Sequence, residues 1–196
     1  MPHEENERHV SSLRLLAREG RTILLILVLA LLVYTALSFT FYHAYPRYPE
    51  VKAICDKVAE EFKKISKEVF ESRYMWFEIF KRNLRAMIFM AIPLIGPVAL
   101  FTSLTVTSMI TGVAMFKAGS PLLISRVLLM PHTYLEMLAY AIAVTASIRF
   151  LKWLRLGRLR TYLISIVIGA LILLIAAIVE EFLVKLLISF PLTLPL

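Results

Sequence analysis

The chain has no glutamine and a single cysteine, Cys55. One thiol excludes an intrachain disulfide and a cysteine-based metal site. Histidine is scarce as well. His3, His9 and His43 lie in polar or flanking positions, leaving only His132 inside an apolar run, so a zinc site is poorly supplied. There is no G-x-S-x-G elbow, no pair of aspartates, no Gly-rich phosphate loop and no H-E-x-x-H helix. These absences remove the usual signatures of hydrolysis, phosphoryl transfer and zinc proteolysis. The expectation is a protein that is not an enzyme and holds no metal and no cofactor.

What the chain has is apolar residues. They make up 59% of its 196 positions, with mean hydropathy +0.76. Soluble domains hold about 45–50%, so this is an integral membrane protein, read as one membrane domain over residues 1–196. The net charge of +8 carries no nucleic-acid motif with it. In a membrane protein such an excess points to cytoplasmic loops and anionic lipid headgroups. The polar stretch is rich in Lys and Glu, which leans toward a thermophilic source.

Residues 1–21 form a mixed-charge tail with four Arg and four Glu. Residues 22–42 carry no charge and form the first span. At about 21 residues this stretch exceeds the roughly 7–15 of a signal-peptide core, so it reads as an anchor. Residues 43–83 are a polar insertion. Within it Val51, Ile54, Val58, Phe62, Ile65 and Val69 recur at spacings of 3, 4, 4, 3 and 4, predicting one amphipathic helix outside the bilayer. It is either a surface helix packed on its neighbours or a docking face for another protein.

Residues 84–116 are long for one crossing and short for two, and Pro93, Gly96 and Pro97 interrupt them. A broken helical hairpin is expected. Its second half carries a hydroxyl stripe of Ser103, Thr107 and Thr111, with Ser108 and Gly112 beside it as a small-xxx-small pair. The stripe serves either close helix packing or a solute pathway. Residues 122–148 form the next span. Residues 149–160 are a basic loop of Arg149, Lys152, Arg155, Arg158 and Arg160 facing lipid headgroups. Residues 161–179 form the last span, and residues 180–196 an interfacial segment. The fold class is an all-α polytopic bundle of about five membrane segments plus the amphipathic helix.

Orientation signals conflict. The basic loop and the Arg residues before the first span favour a cytoplasmic N-terminus, with two crossings or a re-entrant hairpin in 84–116. The nine basic residues of 43–83 instead favour a four-span arrangement with the N-terminus outside. The first is preferred, in a multi-pass protein of the cell membrane.

The 122–148 run holds His132 and Glu136, four apart and preceded by Pro131. On a helix they share a face and are expected to touch near mid-depth. A charge there costs roughly 2.5–3.5 kcal/mol on insertion scales, so such residues face a protein interior. The pair reads as an internal strut, as a proton or cation site, or as part of a metal site completed elsewhere. Pro131 is expected to kink the helix and free the Val127 carbonyl. Arg126 is placed to pair with Glu180 or Glu181.

Pro131-His132-Thr133-Tyr134-Leu135-Glu136 resembles the P-H-G-x-x-E signature of the stage II sporulation protein M family. Phe80-Lys81-Arg82-Asn83-Leu84-Arg85-Ala86 resembles, through its 82–86 part, the N-N-x-x-A of that family's F-x-x-N-N-x-x-A at the start of its second span, and Thr111-Gly112 stands where the family often has Asn-Gly. Thr133, Arg82 and Thr111 depart from the pattern and mark a divergent branch, with an archaeal source as one reading. The resemblance implies an all-helical protein of about five spans with an inside N-terminus. It also implies a membrane-scaffold type of role, and Pro131, His132, Glu136 and Asn83 as functional candidates. Two functions therefore compete: a non-enzymatic, homo-oligomeric scaffold holding a protein partner through 43–83, and a small ion or solute transporter using His132 and Glu136.

Overall fold

The computed structural model describes residues 18–189. Among them are seven helices and no strand: α1 Gly20–Ala44, α2 Pro49–Glu71, α3 Met75–Ala91, α4 Gly96–Lys117, α5 Leu123–Leu128, α6 Pro131–Arg155 and α7 Leu159–Ser189. The expected N-terminal tail up to residue 17 and the chain from residue 190 lie outside the described residues. By length and composition α1, α4, α6 and the Leu159–Leu186 part of α7 can cross a membrane. Their outer faces suit lipid. On α7, Leu163, Val167, Leu171, Ile175, Ile178 and Phe182 are all exposed at helical spacing, an apolar stripe that water would not tolerate on a monomer. The protein is an all-α membrane bundle.

The bundle has two ends, each tied by polar contacts. At the first, Arg149 Nε of α6 meets Glu19 Oε2 at 3.1 Å, just before α1. Ser147 of α6 donates to the Ile92 carbonyl at 2.7 Å and accepts from the Gly96 N–H at 3.3 Å. Tyr162 of α7 donates to the Ala91 carbonyl at 2.9 Å. The start of α1, the α3–α4 turn and the α6–α7 loop therefore share one end, the basic end. At the other, Tyr45 donates to Asp56 Oδ1 at 2.7 Å and Lys117 pairs with Asp56 at 3.6 Å. There the Trp76 N–H donates to Glu181 Oε2 at 2.6 Å. The chain thus traverses the bundle five times, with α2 and α5 at the end opposite the basic loop. α3, only 17 residues long, makes its passage packed among α4, α6 and α7.

Small residues set the helix spacing. On α6, Ala139, Ala143 and Ala146 are fully buried, and Ala176 and Ala177 of α7 are likewise; this pair makes the most extensive contact in the bundle. Gly112 of α4 lies against α1, where an added Cβ would stand 2.7 Å from Phe41 Cβ and 2.9 Å from the Ser38 carbonyl.

Several boundaries differ from the sequence reading. The 122–148 run is divided. α5 ends at Leu128, and Pro131 is the first residue of α6, where its missing N–H costs nothing. Pro131 therefore starts a helix and does not kink one. The Val127 carbonyl is also not free, since the Met130 N–H reaches it at 3.2 Å and the Thr133 hydroxyl at 3.1 Å. The basic stretch is helical through Arg155, so the loop shrinks to the turn around Gly157. α7 runs on past Glu180 to Ser189, because the Glu181–Lys185 pair bridges one turn and no breaker comes before Pro191.

The α3–α4 turn holds Leu94 at φ 69°, the left-handed region, with its side chain 74% exposed. A leucine there costs about 1 kcal/mol. Leu94→Gly is expected to stabilise the protein by roughly 0.5–1 kcal/mol, read as a higher unfolding temperature in detergent. A lower one would mean that Leu94 contributes contacts outweighing its strain.

Candidate functional site

α3 enters the bundle with one polar residue on its buried side. Asn83 Nδ2 donates to Glu136 Oε1 of α6, joining two candidates separated by 53 positions. Their depth follows from the packing. The uncharged run 161–179 of α7 centres on Ala170 and, at about 1.5 Å per residue, is just long enough for the hydrocarbon layer. Beside that centre, a Cβ on Gly169 would lie 2.8 Å from Met87 Sδ and 3.5 Å from the Ala139 carbonyl. Asn83 precedes Met87 by four residues and Glu136 precedes Ala139 by three. Their bond therefore sits within about 6 Å of mid-depth, displaced toward the α2 end.

Two further ionisable side chains lie near Glu136: Glu180 of α7 and Arg82, next to Asn83. Tyr140, one turn along α6, is buried beside them and feels the same groups. The sequence reading did not single out Glu180, Arg82 or Tyr140 as site residues. The available signal was an acid closing an apolar run on α7 and an Arg beside the motif asparagine. Among the described residues no three His, Cys, Asp or Glu side chains converge on a metal position.

His132 and Glu136 are not bonded to each other, contrary to the expected pair. His132 occupies the first turn of α6 and its Nδ1 is buried with no partner among the described residues. Glu136 turns to α3 instead, because the asparagine amide offers a donor from a neighbouring helix. Nor does Arg126 meet Glu181, whose oxygens are taken by Lys185 and the Trp76 N–H; Arg126 is exposed on α5.

The hydroxyl stripe does not stay on one face. Four residues turn a helix about 40° past a full circle, and the line drifts from half-buried Ser103 through exposed Thr107 to buried Thr111. Thr107 bonds its own helix at the Ser103 carbonyl, 2.8 Å away. Thr111 meets the Tyr34 hydroxyl at 2.8 Å, and Ser108 donates to the Tyr34 carbonyl at 3.1 Å. These buried hydroxyls join α4 to α1.

Between α2 and α3 lies a cleft of about 590 Å3 walled by Ile65, Val69, Lys81, Arg82 and Arg85. α2 bridges the end of the bundle above it. Its first half packs through buried Cys55 on Val113 of α4 and on Tyr45, and its last turn brings Val69 onto Met75, Ile79 and Ala177. Arg82 lies over the Phe62 ring of α2 at 5.0 Å.

All three departures from the resemblance have partners in this frame. Thr133 closes the turn before α6, Thr111 bonds α1, and Arg82 stacks on α2. Two of the motif residues kept, Asn83 and Glu136, are bonded to each other. The model of the stage II sporulation protein M family matches residues 21–184. The chain belongs to the stage II sporulation protein M family. No curated protein and no solved structure matches it. The family match takes in every helix from α1 to most of α7, so the Asn83–Glu136 bond and the α2 bridge both lie within the part this family shares.

At the α2 end, outside the spans, the hydrogen bond to Asp56 pushes the Tyr45 hydroxyl up to about 12 from the usual 10.0. The neutral phenol is the form the fold favours. Its contribution is complete below pH 10 and is lost as pH rises through about 12. Tyr45→Phe is expected to cost about 1.5 kcal/mol at neutral pH and to flatten the loss of stability between those values. An unchanged alkaline unfolding profile would remove Tyr45 from that transition.

Proposed function

We propose that the protein is a non-enzymatic membrane scaffold that holds a protein partner through α2. The observation carrying this is α2 itself. Anchored at both ends, it still leaves Ile54, Phe62 and Phe70 exposed, apolar side chains outside the spans of the kind that mark interaction sites. Photo-crosslinkers at Ile54 and Phe70, with Lys57 as the control on the charged side, test it in native membranes. A discrete adduct at the first two positions supports docking, whether to another protein or to a second copy. Adducts to lipid alone at all three would end the reading.

A second reading rests on Glu136, a carboxyl held near mid-depth where such groups often serve transport. Proteoliposomes of the wild type and Glu136→Gln decide it: proton or cation flux lost in the folded variant makes Glu136 a transport site.

The proposed orientation puts the N-terminus and the basic end in the cytoplasm, since Arg18, Arg21, Arg149, Lys152, Arg155, Arg158 and Arg160 gather at one end. Burial pushes the Cys55 thiol up, so the natural cysteine stays quiet toward labels. A cysteine at Arg158 should label only from the cytoplasm, and one at Lys57 only from outside. The reverse pattern would invert the protein.

A further inference from the structure

The cleft between α2 and α3 contains a charge without a partner. Lys81 is matched by Glu78 at 2.5 Å, and Arg82 is held over Phe62 and near Glu136 and Glu180. Arg85 makes no hydrogen bond, ion pair or ring contact among the described residues, and it is exposed.

Its position makes this costly. Arg85 is two residues from Met87, which lies beside the centre of the α7 span. Ile88 and Phe89, three and four residues further on, share its face of α3 and are exposed. Arg85 thus stands on a lipid-facing strip, within the depth of the leaflet on the α2 side. A guanidinium at that depth must snorkel outward. The direction available is the cleft it lines. The rest of that cleft is lined by apolar Ile65 and Val69, by Ser72, and by two acids, Glu68 and the Glu78 that Lys81 already holds.

Outward along the cleft lies the headgroup layer, where the anion is phosphate, which a guanidinium grips through two parallel N–H donors. We propose that the cleft binds the phosphate of an anionic phospholipid from that leaflet. Arg85 and Arg82 grip the headgroup and Ile65 and Val69 cover the start of its chains. This does not depend on the scaffold reading, because Ile54 and Phe70, where docking is tested, do not line the cleft.

The test titrates delipidated full-length protein in neutral detergent with phosphatidylglycerol, followed by native mass spectrometry, with phosphatidylcholine and inorganic phosphate as parallel arms. Tighter binding of phosphatidylglycerol is expected, with no competition from millimolar phosphate. Arg85→Gln should weaken it about fivefold. Ile65→Trp, which fills the cleft without changing charge, should weaken it similarly, and Lys63→Gln on exposed α2 should leave it unchanged. If Arg85→Gln does not fold, the tryptophan variant carries the result. Equal losses in Arg85→Gln and Lys63→Gln, no preference over phosphatidylcholine, or displacement by inorganic phosphate would each overturn the proposal.

Discussion

Gly96→Ala is expected to destabilise the protein by about 3 kcal/mol, as much as a deep core deletion, for the addition of one methyl group. The new Cβ would stand 2.2 Å from the Met90 carbonyl, 2.6 Å from Ser147 Oγ and 2.7 Å from Ser147 Cβ. The nearest atom is backbone in the last turn of α3, so no side-chain rotation relieves it. Moving Gly96 away also breaks the Ser147 contacts that hold the turn to α6. Unfolding temperature in detergent reads the effect. Gly20→Ala is the control, since nothing lies within 4 Å of a Cβ there, and its change should stay within about 0.5 kcal/mol. Ser147→Ala in the Gly96→Ala background should not restore stability. Full restoration would place the conflict with the serine alone and remove the backbone from the account.

The second large effect belongs to Asn83 and Glu136. Asn83→Ala leaves a carboxyl deep in the bundle without its donor, and a cost of about 2 kcal/mol is expected. Glu136→Leu strands the asparagine amide in the same way. Asn83→Leu with Glu136→Leu replaces both polar partners by apolar ones of similar size, and most of the stability should return. Unfolding in mixed micelles measures the cycle, and the coupling should approach the cost of a single change. Additive losses would mean the two side chains do not act as a pair. A double variant that is stable yet loses partner adducts at α2, or loses flux, would assign the bond a function beyond support.

The parts of this protein legible in its sequence are those governed by local pattern. The uncharged run that becomes α1, the 3-4-4-3-4 spacing of α2 and the Pro/Gly interruption that becomes the α3–α4 turn each report on neighbouring residues. Asn83 and Glu136 were legible individually, as polar residues out of place in apolar runs. Their bond was not, because 53 residues separate them and only the packing of α3 against α6 brings them together. The His132–Glu136 pairing failed for the same reason. Shared helix phase permits a contact, but a donor from another helix decided it. Pro131 reads as a kink in the sequence, since nothing local distinguishes a proline inside a helix from one that opens the next. Arg82 and Glu180 became part of the site only once α3 and α7 lay side by side.

The short, charged α3 has a consequence for biosynthesis. Lys81, Arg82, Asn83 and Arg85 occupy the middle of its 17 residues, and on insertion scales each central cation opposes partitioning by roughly 2.5–3.5 kcal/mol. As the ribosome delivers the chain, α1 can settle in lipid alone, but α3 cannot. It must wait at the translocon, paired with α4, until α6 presents Glu136 and α7 its alanine face. A nascent chain halted before α7 therefore carries an exposed, half-apolar α3, the form that membrane quality control degrades. α7, synthesised after the other six described helices, is the one that commits α3 to the bilayer.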